Sequence, residues 1–381
     1  MKHLIAPSLF LISSVALGAN PLVFKDACTP GESLTIAAMG DVLLHQPLQV
    51  QGFTEKDGHV SLWRNVLPYI EGADVAYANM EGPVAGPVNI HNKLDKDPGK
   101  RFDGNVYTGY PRFNYNPLIL QDLRDSGFDV MSTANNHAMD RGPLGADRTI
   151  DNFLKIGLQF TGTRKSDDKT SPWQTITQIK GMRLAWIACT FDTNGISDPN
   201  HQVLLCYKDS DRILKLVSEL SKSPDIDGVI VTPHWGEEYE QSPGSDQKKL
   251  AHQLLEAGAT AVIGSHPHVL QPWEKYVTAD GREGFVVYSL GNFVSNQREL
   301  PRRSSIMVML GLTLSPTTGK AVINGVRYFP VTMDFGGRPF RLHVSSPTEY
   351  TDSWKHVTGM FGMANVADAK RPFVTHAPCT Q

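Results

Sequence analysis

The sequence predicts an alternating α/β fold whose strands run in one direction and end along a common edge. Three observations carry that prediction. Short apolar runs rich in Val, Ile and Ala recur along the chain, stretches of helical periodicity precede several of them, and a polar cluster closes each run. Apolar runs this short, with no polar alternation, read as strands buried on both faces.

The first run, "LTIAAMGDVLLH", ends at Asp41, with His45 four residues on. The second, "ADVAYANMEGP", ends at Asn79 and Glu81, and the third, "FDVMSTANNH", at Asn136 and His137. "DGVIVTPHWGEEY" ends at His234, and "ATAVIGSHPHVLQ" at His266 and His268. Between them, Asn116 and Pro117 make an N-cap and N1 pair for a helix whose Leu120 and Leu123 share a face and which stops at Gly127. A second helix is expected from about Asp209 to Lys222. A third, capped by Ser245, carries the stripe Leu250, Leu254 and Leu255 and stops at Gly258. Ligands in sheets of this kind bind beyond the carboxyl ends of the strands, where all five clusters point.

The last third reads differently. "EGFVVYSLGNF" is one further strand with a Gly-Asn turn, and "SIMVMLGLTL" and "KAVINGVRYFPVTM", joined by "SPTTG", read as a hairpin of added antiparallel strands. Residues 86–109, rich in Asn, Lys, Asp and Gly, read as a long surface loop, and the tail after Ser346 carries no motif.

Composition narrows the classes open to this chain. With 381 residues, 40% hydrophobic and 20% charged, it is expected to build a substantial core rather than to stay disordered. A formal net charge of -3 excludes broad affinity for nucleic acid or anionic membrane. Lys2 and His3 precede an apolar stretch from Leu4 to Ala16 and the small residues "ALGAN", the pattern of a secretory signal peptide over residues 1–19. That stretch is interrupted by Pro7 and falls short of the ~20 residues a membrane helix needs. An exported, periplasmic or extracellular protein is expected, with no transmembrane segment in the mature chain. Cys28, Cys189, Cys206 and Cys379 lie in no C-x-x-C spacing, so disulfides are expected rather than thiolate metal sites. Of the three possible pairings, Cys189 with Cys206 is the most economical, and it leaves Cys28 and Cys379 to tie the chain ends.

The strand-end groups Asp41, His45, Glu81, Asn136, His137, His234, His266 and His268 mix hard oxygen with borderline nitrogen donors. That mixture suits Mn, Fe or Zn better than Ca or a soft-metal site. One tetrahedral ion would not use them all, whereas two divalent ions ~3.5–4 Å apart and sharing one carboxylate would. His266 and His268, two apart in an extended segment, would face the same side. His91, His201, His252 and His376 lie in loops, on a helix flank or in the tail and are not read as ligands.

With these motifs in order, "GDVLLH", "ANMEGP", "ANNHAMDRG", "HWGEEY", "GSHPHVLQ" and "YSLGNF", the chain resembles the CapA family from about Leu34 to Val294. These are capsule and poly-γ-glutamate biosynthesis proteins related to the calcineurin-like metallophosphoesterases. The resemblance implies a four-layer α/β/β/α sandwich of the metallo-dependent phosphatase type, spanning residues 30–335, with residues 336–381 as a C-terminal extension packed on it. It also implies that Asp41 is the first metal aspartate, that Glu81 stands in the bridging position, and that Asn136, His234, His266 and His268 are ligands. His137 becomes the general acid. The superfamily opens with Asp-x-His, and here His45 lies four residues after Asp41, so His45 is a ligand candidate outside the usual spacing. Asp140 either orients His137 or caps the next helix, and Asn135 fixes the turn.

Substrate contacts are expected from Asn79, Arg141 and Asn292, with Arg164 a further phosphate contact and Trp235, Tyr239 and Trp273 either cleft walls or core. The implied activity is hydrolysis of a phosphoester by a metal-bridging hydroxide, linked to capsule or poly-γ-glutamate biosynthesis. The rival is a non-enzymatic envelope component that holds or exports an anionic polymer together with envelope biosynthesis machinery. Amide hydrolysis of that polymer is a third reading that the ligand types leave open.

Overall fold

A computed structural model describes residues 21–379, so the expected signal peptide at residues 1–19 lies outside the described residues. The strands, in chain order, are Ser33–Val42 (β1), Val75–Met80 (β2), Val130–Ser132 (β3), Gln159–Thr161 (β4), Thr175–Ile179 (β5), Met182–Thr190 (β6) and Gly228–His234 (β7). They continue with Ala261–Ile263 (β8), Leu270–Val277 (β9), Glu283–Leu290 (β10), Asn292–Val294 (β11), Ser304–Leu314 (β12), Ala321–Asp334 (β13) and Arg341–Val344 (β14). The helices are Gln46–Thr54 (α1), Val60–Trp63 (α2), Leu67–Glu71 (α3), Leu118–Asp125 (α4), Gly142–Ile156 (α5), Ser210–Lys222 (α6), Ser245–Ala257 (α7), Leu300–Arg303 (α8) and Thr351–Phe361 (α9).

The strands form two sheets, ordered β14-β13-β12-β1-β2-β3-β4, with β11 paired to the end of β1, and β5-β6-β7-β8-β10-β9. Strands β1 to β4 are parallel, as are β6, β7, β8 and β10, and antiparallel strands flank each set. The expected hairpin is β12–β13. The five cluster-bearing strands therefore divide between two sheets, β1 to β3 in one and β7 and β8 in the other.

Side-chain alternation along the strands builds the layers. On β1, Ala37 and Met39 pack with Leu48, Trp63, Leu120 and Leu123 of α1, α2 and α4. Ile36 and Ala38 point the other way, against Trp186, Ile230 and Ile263 of the second sheet. From that sheet Ala185, Ile187 and Val231 pack under Val217 of α6 and Leu250 and Leu254 of α7. Helices, sheet, sheet, helices is the four-layer order that the family resemblance implies.

Local chemistry explains most element ends. Asn116 Oδ1 accepts the Leu118 N–H at 3.0 Å, and Gly127, at φ 89°, follows α4. The start of α7 differs from expectation: Ser245 makes no cap, and Gln247 Oε1 reaches back to accept the Gly244 N–H at 2.9 Å. A Cβ on Gly40 would lie 1.8 Å from the Gly291 carbonyl oxygen, so only glycine lets "GDVLLH" and "YSLGNF" meet and set Asp41 beside Asn292.

The segment read as a surface loop is anchored from within. Asn114, fully buried, donates to the carbonyls of Gly86, Val88 and Val106 at 2.9, 3.1 and 2.9 Å and accepts the Ala85 N–H at 3.0 Å. At the other end of the chain, β14 extends the first sheet, and Phe361 of α9 packs on Trp273 and Tyr328 in the inter-sheet core. Disulfides join Cys189 to Cys206 and Cys28 to Cys379, the economical pairing. Among the described residues no helix is long and apolar enough to cross a membrane.

Candidate metal centre

Each cluster stands at or just past the carboxyl end of its strand, where the edges of the two sheets meet. Asp41 is the penultimate residue of β1, Glu81 follows β2, Asn136 follows β3, His234 closes β7, and His266 and His268 lie between β8 and β9. All six are buried. The last two converge for a different reason than an extended strand: His266 has φ 103° and His268 φ 57°, so the backbone turns at both. Positive φ at two non-glycine residues is strain of the kind that collects at functional sites.

The donor atoms fall into two groups of three, Asp41 with Glu81 and His268, and Glu81 with His234 and His266. Within each group they lie inside 4.8 Å of one another, and Glu81 belongs to both. Asn136 Oδ1 joins the second, 2.9 Å from His234 Nε2. Supporting contacts aim the ligands. His234 Nδ1 meets Ser265 Oγ at 3.0 Å, His268 Nδ1 meets Asn292 Oδ1 at 3.0 Å, and Asp41 Oδ1 accepts Asn79 Nδ2–H at 2.8 Å. Both Glu81 carboxylate oxygens are buried without a hydrogen-bond partner, the nearest imidazole nitrogens standing at 3.6 and 3.7 Å. A buried carboxylate in that position is costly unless a cation completes it. The residues therefore fit a bound divalent cation, with Glu81 common to both donor groups.

Electrostatics agree with that fit. Burial pushes the Glu81 carboxyl well above the usual carboxylate range, against the pull of His268. Burial, then the neighbouring imidazoles, push His234 and His266 well below the ordinary histidine value, toward the neutral form that binds metal. At His268 burial works in the same direction, but the Glu81 and Asp41 carboxylates overcome it and raise the group to about 9. A cation bound here would therefore compete with a proton on His268. Metal loading at pH 7 is expected to release protons, so the apparent affinity should rise with pH, by about tenfold per unit for each proton released, and level off near the His268 value of about 9. Calorimetric titration in buffers of different ionisation enthalpy reads the proton count. Identical heats in every buffer would contradict it.

The remaining sequence-predicted residues take distinct places. His137 lies outside both donor groups, with Nδ1 2.8 Å from Asp140 Oδ2 and its ring edge-on to Phe113. Asp140 also accepts the Phe113 N–H at 2.6 Å, and α5 has no side-chain cap, so Asp140 orients the imidazole rather than the helix. Asn135 donates to the Met80 carbonyl at 2.8 Å and holds the turn. His45 also stands outside both groups, its Nδ1 3.3 Å from the Leu43 carbonyl.

Three residues read as substrate contacts are buried instead. Asn79 supports Asp41, and Asn292 supports His268 and donates to the carbonyls of His268 and Arg302 at 3.2 and 2.9 Å. Arg141 is tied to the Val88 and Asp140 carbonyls and to Thr108, because the 86–112 loop needs an internal donor there. Arg164 stands 3.9 Å over the Trp173 ring. Trp235 packs on Tyr288 and Trp273 sits in the inter-sheet core, which leaves Tyr239, 40% exposed and with its ring 6.2 Å from that of His268, as the aromatic at the opening.

Sequence reasoning missed Phe191, whose ring lies 4.4 Å from that of His266 at a 41° tilt, and Asn194, which accepts from Asn136 at 3.2 Å. It also missed Arg302, 3.7 Å over the Tyr239 ring. Only Ser265, inside "GSHPH", carried a readable signal. His252 pairs with Glu274 on the surface, and the group of Cys28, His376 and Cys379 has both thiols in a disulfide.

Comparison with known proteins agrees with the motif order. A family model described as bacterial capsule synthesis protein PGA_cap matches residues 35–297. The PGA biosynthesis protein CapA of Bacillus subtilis is 30% identical over 328 residues, covering 85% of this chain and 76% of its own length. The capsule biosynthesis protein CapA of Bacillus anthracis is 29% identical over 313 residues, covering 79% and 71%. Among solved structures, the sulfate thiohydrolase SoxB of Thermus thermophilus aligns with a TM-score of 0.41 at 12% identity, over 86% of this chain and 60% of that one. TT1561 of the same organism aligns at 0.38 and 12% identity, over 77% and 98%.

Proposed function

The chain belongs to the bacterial capsule synthesis family PGA_cap, and on that premise we propose that it is an exported, dinuclear metal-dependent phosphoesterase serving capsule or poly-γ-glutamate biosynthesis. One observation carries the proposal: Glu81 is shared by two donor groups, and both of its buried oxygens lack a protein partner. A scaffold that only holds polymer has no use for so costly a group. Two disulfides support the exported half of the reading.

Asp41, Glu81 and His268 would hold one ion, and Glu81, His234, His266 and Asn136 the other, with Mn, Fe or Zn suited to the mixed oxygen and nitrogen donors. Such a pair, when bound, supplies Lewis acidity toward a phosphoryl oxygen and an acidified water as nucleophile. The chain's own residues supply the rest. With its Nδ1 taken by Asp140, His137 is left with Nε2 to pass a proton to the departing oxygen. Asn79, Ser265 and Asn292 keep the ligands aimed.

The test combines elemental analysis of protein purified without chelator with a panel of phosphomonoesters and phosphodiesters. More than one equivalent of transition metal together with turnover supports the proposal. A single equivalent, with Asn136 and His234 unligated, sinks the dinuclear claim. Two equivalents with no turnover on a broad panel favour the non-enzymatic assembly role.

A further inference from the structure

Arg141 is tied to the Val88 and Asp140 carbonyls and Arg164 stands over Trp173, whereas Arg302 stands beside the exposed aromatic next to His268. The Arg302 guanidinium lies 3.7 Å over the ring of Tyr239, whose ring centroid is 6.2 Å from that of His268. Tyr239 is itself held in an unusual conformation, φ 70°, with its N–H donating to the Pro267 carbonyl at 2.7 Å, between the two ligand histidines. Arg302 is tied to the same ligands from behind: Asn292 donates to its carbonyl at 2.9 Å and accepts from His268 at 3.0 Å. Gln297 bridges the two sides, accepting from Asn292 at 3.0 Å and reaching the Tyr239 hydroxyl at 3.5 Å.

We infer that Arg302, 3.7 Å over the ring of Tyr239, is an oxyanion subsite that grips a phosphate group of the substrate and presents it to the metal centre. The inference rests on the phosphoesterase reading for the identity of that group. A guanidinium stacked on an aromatic face keeps its in-plane N–H donors free for two parallel bonds to a phosphate. Its ion-pair partner, Glu299 at 3.4 Å, belongs to the same turn and is 63% exposed, the kind of surface pair that holds weakly.

Calorimetric titration of the metal-loaded protein with inorganic phosphate tests the subsite without relying on turnover. Arg302→Ala should weaken phosphate binding by roughly tenfold to a hundredfold and raise KM on any phosphoester turned over, with metal content unchanged. Arg302→Lys should recover little of this, because an ammonium neither stacks nor forks. Tyr239→Leu should weaken binding in the same sense, and Glu299→Gln should leave it unchanged or tighter. Phosphate binding by Arg302→Ala equal to wild type would overturn the inference, as would full rescue by lysine or a wild type that binds no phosphate. Turnover by wild type with an unaltered Arg302→Ala removes the subsite and leaves the phosphoesterase reading intact. Arg302-dependent phosphate binding without any turnover does the reverse.

Discussion

Glu81→Gln is expected to empty both metal positions at once and to abolish phosphoester turnover while the protein stays folded. No other single ligand should do so, since Asp41 and His268 serve one donor group and His234 and His266 the other. The same substitution should reverse sign in stability when metal is withdrawn. With metal present, each site stabilises the wild type by about 4 kcal/mol at a thousandfold excess over its dissociation constant, and the variant loses that. With chelator present, the wild type keeps a buried carboxyl whose two oxygens find no partner, and glutamine removes the charge. The pH dependence has a definite direction. Burial raises the folded-state carboxyl of Glu81 above an unfolded value of about 4.3. Its contribution is therefore fully present below that value and is lost as pH rises through the folded one. Chelated wild type should thus lose stability relative to chelated Glu81→Gln as pH rises above that unfolded value. Thermal melts of both proteins, with and without chelator across a pH series, read the sign and its pH dependence. An unchanged order of stability under chelation would refute the bridging role.

The parts of this site legible in the sequence are those set by strand ends. A parallel strand delivers the residues at its carboxyl end to one sheet edge whatever lies around it, so Asp41, Glu81, Asn136 and His234 could be placed from local pattern alone. The split into two sheets was not legible from periodicity. Strands buried on both faces look alike whether helices or another sheet cover them, and only the family resemblance implied the second sheet. The convergence of His266 and His268 was anticipated on the wrong geometry, because positive φ at non-glycine residues leaves no compositional trace. Arg141 and Asn292 carry groups suited to a substrate, yet distant carbonyls claim them: Val88 for the first and Arg302 for the second. Arg302 was invisible for the converse reason. It stands in "LPRR", the short helix α8, and acquires meaning only when that helix folds against Tyr239.

His137→Ala should lower kcat by ~10²–10⁴-fold, leaving both metals and the fold in place. The argument is positional. His137 is buried beside the donor groups without belonging to either, and its Nδ1 is taken by Asp140 at 2.8 Å, which fixes the ring and leaves Nε2 as the working nitrogen. A proton donor matters most when the departing oxygen is a poor leaving group. The defect should therefore be large on an alkyl phosphoester and shrink on an aryl phosphoester whose phenolate departs unaided. His234→Ala provides the contrast, since losing a ligand should deplete metal and depress both substrates alike. Asp140→Asn should fall between wild type and His137→Ala, because the imidazole stays but loses the carboxylate that orients it. Equal losses on alkyl and aryl substrates in His137→Ala, or metal depletion matching that of His234→Ala, would show that His137 is a ligand or a structural residue. An alkyl phosphoester hydrolysed by His137→Ala at the wild-type rate would remove it from the reaction altogether.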